Sequence, residues 1–503
     1  MLYRNKTEKT CARLLGQLNY TNPFLAERME MEQAILGAAH VPCGNNWSRR
    51  GMEENSRHNI VLLQQEAQRL TLSALPHLKT ATSEELEIYF DVAVYHLFEK
   101  YRPRMTAPHS HADFPDSFLW YREFLGDWQQ LLGPLPLSLT ADYPPERLFA
   151  IFFQIHRAFF FIYEYILGST DAAGALRAAI WQSIFTCDIR RYYRSLYNRM
   201  HNLTTLITGE SGTGKELVAQ AIAKSQYIPF HPVAMTFAAD FREQFHPLHL
   251  SAMPKTILES ELFGHKRGAY TGALTDRIGH LESCGVYGSV FLDEIGEIDG
   301  ETQVKLLRVL QSRRFQRIGE NRERPFEGKI LAATNRDLGQ AIAENTFRID
   351  LYYRLCGDVI RTAPLSAMIG DDQSELENFI QLLASRLLGT EDAAEFSSYA
   401  SEWIVRNLKH YHWPGNVREL EQCVRNLLVR GEYIPDSRAL SSRSEEILLK
   451  AFEEARFSAD ELLSIYVKHA CRRYGSLSET ARKLDLDRRT VKKYLLSPLP
   501  DNF

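Results

Sequence analysis

A glycine-rich loop that ends in a lysine is the first feature of the chain that predicts chemistry. A short apolar run at 204–208 leads into Gly-Glu-Ser-Gly-Thr-Gly-Lys-Glu at 209–216. This is the spacing of a P-loop, in which backbone N–H groups surround phosphate oxygens and the lysine reaches the terminal phosphates. A helix beginning at Lys215 would add its N-terminal dipole to the same anion. The predicted ATP-binding residues here are Gly209, Glu210, Ser211, Gly212, Thr213, Gly214, Lys215 and Glu216.

Two acids follow a second apolar run, 289–292, and predict the hydrolytic half of the site. In P-loop ATPases an Asp at this place binds Mg²⁺ and an adjacent Glu polarises the attacking water. Asp293 is therefore predicted to be the ligand of Mg²⁺, and Glu294 the general base. One position departs from the general motif, because Glu216 stands where a Ser or Thr normally contacts the metal.

The elements that must position these residues alternate in type from about residue 203 onward. Short apolar runs bounded by turn residues are separated by helical segments, which predicts a parallel sheet flanked by helices. A third apolar run, 329–333, leads to Asn335, a candidate to orient the water or to sense the γ-phosphate. Beyond about residue 365 the pattern is helical again, and a polar stretch at 433–446 is typical of a linker.

A longer stretch at 259–273 connects these motifs to a known family. It reads Glu-Ser-Glu-Leu-Phe-Gly-His-Lys-Arg-Gly-Ala-Tyr-Thr-Gly-Ala and resembles the AAA+ ATPase domain of sigma-54-dependent transcription activators, also called bacterial enhancer-binding proteins. The family signature there is Gly-Ala-Phe-Thr-Gly-Ala, the loop that contacts sigma-54. The further matching runs are 209–216, 291–297, 303–311, 332–338, 347–355 and 413–420. The resemblance spans roughly 178–432, and the family's own P-loop carries the Glu found at 216.

The resemblance implies roles for residues that the motifs alone leave unassigned. It implies contact with sigma-54 by Gly268, Ala269, Tyr270, Thr271, Gly272 and Ala273. Arg348 and Arg354 match the family's arginine fingers, which reach the ATP of a neighbouring subunit and stabilise transition-state charge. Arg418 matches the sensor II arginine of the helical lid. Fingers that act between subunits imply a homo-oligomeric ring, usually a hexamer. An α/β ATPase subdomain is therefore expected at 178–362 and a helical lid at 363–440.

The chain departs from the family pattern in three places. Tyr270 replaces the usual Phe, which keeps the ring and adds a hydroxyl. The segment between Lys224 and Glu259 is longer than usual, and it places His249 where the family has the switch Asn that positions the catalytic Glu. The sequence Ala-Pro-Leu-Ser-Ala-Met at 363–368 replaces the usual Pro-Leu-Arg-Glu-Arg, so the route into the lid is expected to differ.

The C-terminal segment, 455–503, is basic and helical. Between 468 and 493 nine Lys or Arg face three Asp or Glu, a local net charge of +6. Two short helices separated by a turn are predicted, with Asp487 as the cap of the second. This layout resembles the Fis-like helix-turn-helix modules of the family. The predicted contacts to double-stranded DNA, on phosphates and base edges, are Arg488, Arg489, Thr490, Lys492 and Lys493.

The N-terminal region, 1–177, has the periodicity of helices, with breaks predicted near 102–109 and 133–145. A phospho-receiver would need alternating strands and helices with acids at strand ends, so a helical regulatory or sensor domain is the interpretation. Six phenylalanines crowd the helical stretch 146–168. They are typical of a domain core, and a lining of aromatic residues around a ligand cavity is the alternative.

Composition sets outer limits on the class of protein. The 503 residues predict about three domains. The overall net charge of −4 gives no indication of nucleic acid, and only the C-terminal concentration of charge does. Seven scattered cysteines suit neither a zinc site nor a disulfide framework, which indicates reduced thiols in the cytoplasm. The most apolar stretch, 148–167, contains charged residues and predicts a buried helix, not a membrane span.

These features favour an ATP-dependent activator that binds upstream DNA and remodels closed complexes of sigma-54 RNA polymerase. Two other classes remain as alternatives. An AAA+ chaperone-type remodeller of an unrelated protein would lack a use for the loop at 268–273 and for the terminal helix-turn-helix. A DNA-binding regulator without ATPase activity would have no need for Lys215, Asp293, Glu294 and Arg348.

Overall fold

The computed structural model describes residues 2–42, 55–110, 115–370, 372–408, 411–435, 458–474 and 476–496. The chain divides into two compact units, Met1–Arg425 and Asn426–Phe503, which are described separately. Most of the predicted linker lies outside the described residues, as do 455–457 and 497–503 of the predicted DNA-binding segment. Within the described ranges, no helix is both long enough and apolar enough to cross a bilayer.

All regular elements described between residues 2 and 203 are helical, as the sequence predicts. The α-helices are α1 (Lys6–Gln17), α2 (Ala26–Leu36), α3 (Asn55–Ala74), α4 (Ser83–Ser110), α5 (Tyr121–Leu131), α6 (Leu137–Thr140), α7 (Pro145–Tyr165), α8 (Asp171–Phe185) and α9 (Ile189–Arg191). The break predicted near 102–109 is wrong, because α4 continues through Pro103. Tyr101 and Met105, on either side of that proline, are both buried, so packing holds the helical turns that proline alone would interrupt.

A five-stranded sheet forms the centre of the next region. Five of the region's nine strands form this sheet, and the other four form two small hairpins. The nine strands are β1 (Thr205–Thr208), β2 (Phe230–His231), β3 (Thr236–Phe237), β4 (Phe245–His249), β5 (Ser289–Asp293), β6 (Arg314–Gln316), β7 (Glu323–Pro325), β8 (Lys329–Thr334) and β9 (Asp358–Arg361). The order in the main sheet is β4-β5-β8-β1-β9, and every pairing is parallel. Helices cover both faces of such a sheet, which explains why β1, β5 and β8 are nearly continuous apolar runs.

The helices of the ATPase region and its lid follow the same chain order. In the ATPase region they are α10 (Lys215–Lys224), α11 (Lys255–Phe263), α12 (His280–Ser283), α13 (Gly300–Ser312), α14 (Leu338–Ala343) and α15 (Ile349–Leu355). In the lid they are α16 (Leu365–Ile369), α17 (Gln373–Leu388), α18 (Thr390–Asn407) and α19 (Asn416–Arg430). The α/β core with a helical lid therefore agrees with the predicted fold class.

Strand register brings the predicted site residues to one edge of the sheet. Thr208 pairs with Thr334, so β1 and β8 end level with each other. Leu292 pairs with Ala332, which places Asp293 one step from that same end. Because the strands are parallel, the loops that follow all emerge at the carboxyl edge, where ligands bind in open α/β sheets.

The segment between α10 and α11 contains the small hairpin of β2 and β3, which packs on the N-terminal helices. The rings of Phe149 and Phe230 lie 4.5 Å apart, as do those of Phe153 and Phe237. The backbone amide of Phe118 also donates to the carbonyl of Met235 at 2.8 Å. The hairpin thus creates a contact between the N-terminal helices and the ATPase region.

In the second unit, the described residues 458–474 and 476–496 form three helices around a small core. They are α20 (Ala459–Tyr474), α21 (Leu477–Leu484) and α22 (Arg488–Leu496). Val467, Ala481, Val491 and Tyr494 are buried together, with Leu484 and Leu486 packed against them. Asp487 caps α22 as predicted, because its carboxylate accepts hydrogen bonds from the amides of Arg489 and Thr490.

Candidate functional site

The P-loop is held against the end of β8 and against the chain that leads to the lid. The Gly209 amide donates to the Thr334 carbonyl at 3.3 Å. A Cβ on Gly209 would lie 2.0 Å from Thr362 Oγ1. The threonine hydroxyl therefore fills the position that a side chain at residue 209 would need, and only glycine fits there. The hydroxyls of Thr213 and Thr362 are 2.6 Å apart, and Thr362 also donates its amide to Thr208. Sequence reasoning did not identify Thr362, whose position is fixed by the pairing of β1 with β9.

Lys215 begins α10 and is buried at 7% exposure. Its ammonium donates to the carbonyls of Gly209 and Glu210, both at 3.0 Å, so the side chain folds back into the loop. Burial lowers the pKa of Lys215, and the nearby carboxylates of Asp293 and Glu294 act in the opposite direction. A buried ammonium in a loop of this shape is a strong attractor for phosphate oxygens.

The two predicted acids lie where β5 turns out of the sheet. Glu294 adopts a left-handed backbone conformation, with φ 58° and ψ 50°, which is rare for a residue other than glycine. Its amide donates to Asp293 Oδ1 at 3.1 Å, and its own carboxylate accepts the Asn335 amide at 3.3 Å. The structure thus brings Asp293, Glu294 and Asn335 together through their backbones, and the unusual turn sets the direction of the Glu294 side chain.

His249 contacts the first acid of this pair. His249 and Asp293 are register partners at the ends of β4 and β5. The imidazole Nδ1 lies 3.0 Å from Asp293 Oδ2. The alignment with the family's switch Asn would direct this residue to Glu294, and the side chain instead contacts Asp293.

The acids present fit Mg²⁺ in the way this ion is usually bound beside phosphates. Mg²⁺ typically takes one or two carboxylates and fills its other positions with water and phosphate oxygens. Asp293 supplies one such carboxylate, with its side chain 14% exposed. No cluster of three or more acidic, histidine or cysteine ligands occurs among the described residues, so a metal cage built only from protein is absent there.

The start of the lid helix α19 is attached directly to the P-loop. Arg418 donates to Ser211 Oγ at 2.8 Å. Asn416, which is fully buried, donates to Glu210 Oε2 at 3.0 Å and to the Ser211 carbonyl at 3.1 Å. Its Oδ1 accepts the amide of Leu365, so one side chain joins the P-loop, the connection to the lid and α19. Sequence reasoning missed Asn416; the available signal was an Asn after a Gly at a helix start, where a left-handed conformation is tolerated.

The two predicted arginine fingers lie on α15 and at its N-cap, with both side chains exposed. Arg348 forms an ion pair with Asp350 at 2.7 Å, and its amide donates to Gln303 Oε1 at 2.9 Å. The buried Gln303 in turn donates to the carbonyls of Ile298 and Thr346. The backbone of Arg348 is therefore fixed, while its guanidinium is directed to the surface.

The loop at 268–273 is a compact turn between α11 and α12. The amide of Gly268 donates to the carbonyl of Ala273 at 2.9 Å, and the Ala273 amide donates to Tyr270. The Tyr270 ring packs edge-on against His265 at 5.1 Å. His265 is itself buried and lies 2.7 Å from the hydroxyl of Ser260 on α11. The tip of the loop, at 271–272, is exposed.

In the second unit, the residues predicted to contact DNA lie at the start and along one side of α22. Arg488, Arg489, Lys492 and Lys493 are exposed, and the Lys493 ammonium lies 5.1 Å from the ring centre of Tyr494. The Thr490 hydroxyl donates to Asp487 Oδ2 at 2.6 Å, so it takes part in the helix cap.

Comparison with known proteins gives matches over the ATPase region and the lid. The model of the Sigma-54 interaction domain matches residues 188–361, and that of the AAA+ ATPase lid domain matches residues 376–440. The chain is 42% identical over 232 residues to the Nif-specific regulatory protein of Azotobacter vinelandii, covering 46% of this chain and 40% of that protein. It is 36% identical over 304 residues to the transcriptional regulatory protein ZraR of Klebsiella oxytoca, covering 57% and 62% respectively.

The chain thus spans between two fifths and two thirds of the length of these relatives. A crystal structure of NtrX from Brucella abortus aligns with 80% of this chain and 84% of that one, at 22% identity and a TM-score of 0.40. The first matched domain contains the P-loop, the loop at 268–273 and the paired acids, and the second contains most of the lid described above. Within residues 188–361 and 376–440, the chain therefore carries the Sigma-54 interaction domain and the AAA+ lid domain of sigma-54-dependent transcription activators.

Proposed function

We propose that the chain is an ATP-driven transcription activator. It binds double-stranded DNA upstream of a promoter, assembles into a homo-oligomeric ring that we propose is a hexamer, and remodels the closed complex of sigma-54 RNA polymerase. The observation that carries the proposal is the loop at 268–273, placed on the same domain as the buried Lys215 and the acids Asp293 and Glu294. Since RNA polymerase and DNA share the bacterial cytoplasm, we also propose a cytoplasmic location.

The proposed nucleotide chemistry follows from the carboxyl edge of the sheet. The P-loop amides and Lys215 bind the phosphates of ATP, and Arg418 closes the lid over them. Mg²⁺, held by Asp293, would neutralise charge on the phosphate oxygens. Glu294 accepts a proton from the attacking water, and the backbone contact between Asn335 and Glu294 keeps that carboxylate in place. Asn335 is proposed to orient the water or to sense the γ-phosphate.

Arg348 and Arg354 are proposed to act on the ATP of a neighbouring subunit. Their exposure supports this role, because a finger that acts in a ring must project from its own subunit. The ion pair between Arg348 and Asp350 is solvent-exposed and therefore weak. In the ring, Arg348 would leave Asp350 and contact the phosphates of the neighbouring subunit's ATP. A ring is required for hydrolysis under this proposal, since neither finger belongs to the site of its own chain.

A chain of contacts supports the coupling of hydrolysis to the loop at 268–273. Helix α11 leads into this loop, and α13 begins six residues after Glu294. Glu259 on α11 accepts from Lys305 on α13 at 2.6 Å, and Lys255 pairs with Glu301 at the start of α13. A movement of the segment after Glu294 would thus be transmitted through α13 and α11 to the Tyr270 loop, which is how nucleotide switches act on partners.

DNA recognition is proposed for the helix-turn-helix formed by α21 and α22. Arg488, Arg489, Lys492 and Lys493 would contact phosphates and base edges in the major groove. The hydrogen bond from the Thr490 hydroxyl to Asp487 fixes the backbone of Thr490 at the start of α22. We propose that Thr490 contacts DNA from this fixed position.

Reconstituted transcription with sigma-54 RNA polymerase tests the proposal. We expect ATP-dependent open complexes with the full chain and none with Lys215→Ala, which removes the phosphate-binding ammonium. Lys6→Ala, which changes a charge on α1 far from the motif in sequence, serves as the matched control. ATP turnover without open complexes would contradict the proposal and favour an AAA+ remodeller of another protein.

A further inference from the structure

A cavity of about 790 Å³ lies among the N-terminal helices and is separate from the P-loop. Its walls come from α2, α3, α4, α7 and α8, from the turn that follows α1 and from Tyr193. Cavities of 300–1,000 Å³ with apolar walls are typical binding sites for small molecules. The phenylalanines of α7 divide accordingly: Phe149, Phe152 and Phe153 are fully buried core, whereas Phe159 and Phe160 line the cavity.

Aromatic rings dominate the cavity wall. Phe98 on α4 stacks on His156 on α7, with ring centres 4.4 Å apart and planes 4° from parallel. Phe159 on α7 and Trp181 on α8 lie 4.9 Å apart. Flat rings arranged in this way offer stacking and edge-on contacts to another flat ring, and these contacts add to simple burial of area. The wall therefore favours a planar ligand.

The charged residues of the wall are Arg28, Glu99, Arg102 and the half-buried Glu164, and the first three take part in ion pairs. Arg28 pairs with Glu32 at 2.7 Å, and Arg102 lies 3.4 Å from Glu99. Burial lowers the pKa of His156 to about 3, so this imidazole is neutral at physiological pH. An ionised ligand would have to leave water without a new counter-charge, and that is unfavourable in a buried site. The wall therefore favours a neutral ligand.

Five polar atoms of the wall residues are buried without a hydrogen-bond partner in the part of the chain that the structure describes. They are Tyr95 Oη, Glu99 Oε2, His156 Nε2, Tyr163 Oη and Trp181 Nε1. Buried polar groups in folded proteins are nearly always paired, and each exception requires an explanation. A ligand oxygen that accepts from the indole N–H or from a tyrosine hydroxyl would supply the missing partner after a small shift of these side chains.

Helix α7 connects this cavity to the P-loop helix. Ile155, His156 and Phe159 face the cavity, while the neighbouring Gln154 donates to the carbonyl of Ser225 at 2.8 Å. Arg157, the next residue on that side, donates to the carbonyl of Gln226. Both carbonyls come directly after the end of α10, the helix that begins with Lys215. Gln154 is itself held by the Tyr192 hydroxyl at 2.9 Å, so the contact is rigid and fully buried.

We propose that the cavity binds a neutral, planar ring compound that carries a hydrogen-bonding oxygen, and that its occupancy is transmitted through α7 to α10. The cavity part of this proposal does not depend on ATP hydrolysis. The coupling part requires only that a change in α7 alters the end of α10 through their hydrogen bonds, and it does not require that the chain bind or hydrolyse ATP.

The binding part is tested with prodan, a neutral naphthalene ketone whose fluorescence shifts to the blue in apolar surroundings. The full chain should give saturable emission with one site per chain. Ile155→Trp, which puts an indole into the cavity, should weaken binding at least tenfold, and so should Thr106→Trp at the exposed rim. Leu137→Trp, at an exposed position of α6 outside the cavity, should bind as the wild type does.

Thr106→Trp keeps the test decisive if the buried Ile155 variant fails to fold. Emission that does not saturate, or an unchanged prodan affinity in a folded cavity variant, would overturn the binding site. The anionic dye anilinonaphthalene sulfonate should bind at least tenfold more weakly than prodan. Equal affinity for the two dyes would overturn the preference for a neutral ligand.

The coupling part is tested by hydrogen–deuterium exchange, which requires no ATP turnover. Saturating prodan should slow exchange of the backbone amides at 218–226, because an occupied cavity restricts the local opening of α7 and of the helix end it holds. In Gln154→Leu, which removes the hydrogen bond to Ser225, this protection should disappear while prodan affinity stays within twofold. Unchanged exchange at 218–226 in the prodan-saturated wild type would overturn the coupling and leave the proposed transcription activity unaffected.

Discussion

His249 and Asp293 end neighbouring parallel strands, and the imidazole Nδ1 of His249 lies 3.0 Å from Asp293 Oδ2. The histidine therefore orients the carboxylate that we propose for Mg²⁺. Mutation of a residue that orients a metal ligand in this way typically lowers metal affinity 10–100-fold.

We expect His249→Ala to raise the Mg²⁺ concentration needed for half-maximal ATP hydrolysis by about tenfold. His246→Ala is the matched control, since His246 lies on the same strand but pairs with Val290 and not with the acid. The measurement is ATPase rate against Mg²⁺ at fixed ATP. An unchanged Mg²⁺ requirement in His249→Ala would show that the contact has no influence on the metal.

The exposed position of Arg348 predicts that two inactive variants restore each other. Arg348→Ala should lose ATPase activity because it removes the finger offered to a neighbour, and Lys215→Ala should lose it because its own P-loop fails. In a mixed ring, an intact P-loop of one variant meets the intact Arg348 of the other, so part of the activity should return.

ATP turnover of the two variants, measured alone and after mixing, decides this prediction. Lys215→Ala mixed with a Lys215→Ala, Arg348→Ala double variant is the control, and it should stay inactive. A mixture of the two single variants that is no more active than its components would contradict an action of Arg348 between subunits.

The contact between the P-loop and the lid predicts a high cost for a methyl group at Gly212. This residue has φ of +79°, and a Cβ would lie 2.4 Å from the carbonyl of Gly415. Gly212→Ala should therefore cost about 1–3 kcal/mol in backbone strain alone. We expect a lower midpoint of thermal unfolding and weaker nucleotide binding. Gly126→Ala is the control, because nothing lies within 4 Å of its Cβ and it lies inside α5.

The exposed basic residues of α22 predict a salt-dependent loss of DNA binding. Arg489→Ala and Lys492→Ala should each weaken binding across sequences and reduce the slope of log affinity against log salt by about one if they contact phosphates. Tyr466→Ala, at an exposed position on α20, should leave both quantities unchanged. Fluorescence anisotropy over a salt series provides the measurement. Unchanged slopes in both basic variants would argue against this helix as the DNA contact.

Local motifs were sufficient to predict the residues at the carboxyl edge of the sheet. The P-loop, Asp293 and Asn335 each follow a short apolar strand, and parallel strands bring such ends together whatever the rest of the chain does. The cap by Asp487 was predictable for a similar reason, because it depends on residues two and three positions along the chain.

Contacts between distant segments were not predictable from the sequence. The hydrogen bonds from Asn416 to Glu210 and Ser211 join residues 206 and 205 positions apart, and the local pattern at Asn416 indicates a left-handed turn but not these partners. The sequence indicates the hairpin of β2 and β3 only as additional residues between two helices. Its contact with the N-terminal helices depends on phenylalanines of α7, which are distant in sequence. Helix α4 continues past Pro103 because of tertiary packing, which outweighs the local preference of proline.

The central claim is that ATP hydrolysis acts on sigma-54 through the Tyr270 loop, and open-complex formation by loop variants tests it most directly. In reconstituted transcription with sigma-54 RNA polymerase, Tyr270→Phe should support open complexes, since it keeps the ring. Tyr270→Ala should hydrolyse ATP at the wild-type rate and form no open complexes. Open complexes formed by Tyr270→Ala at the wild-type level would contradict the account.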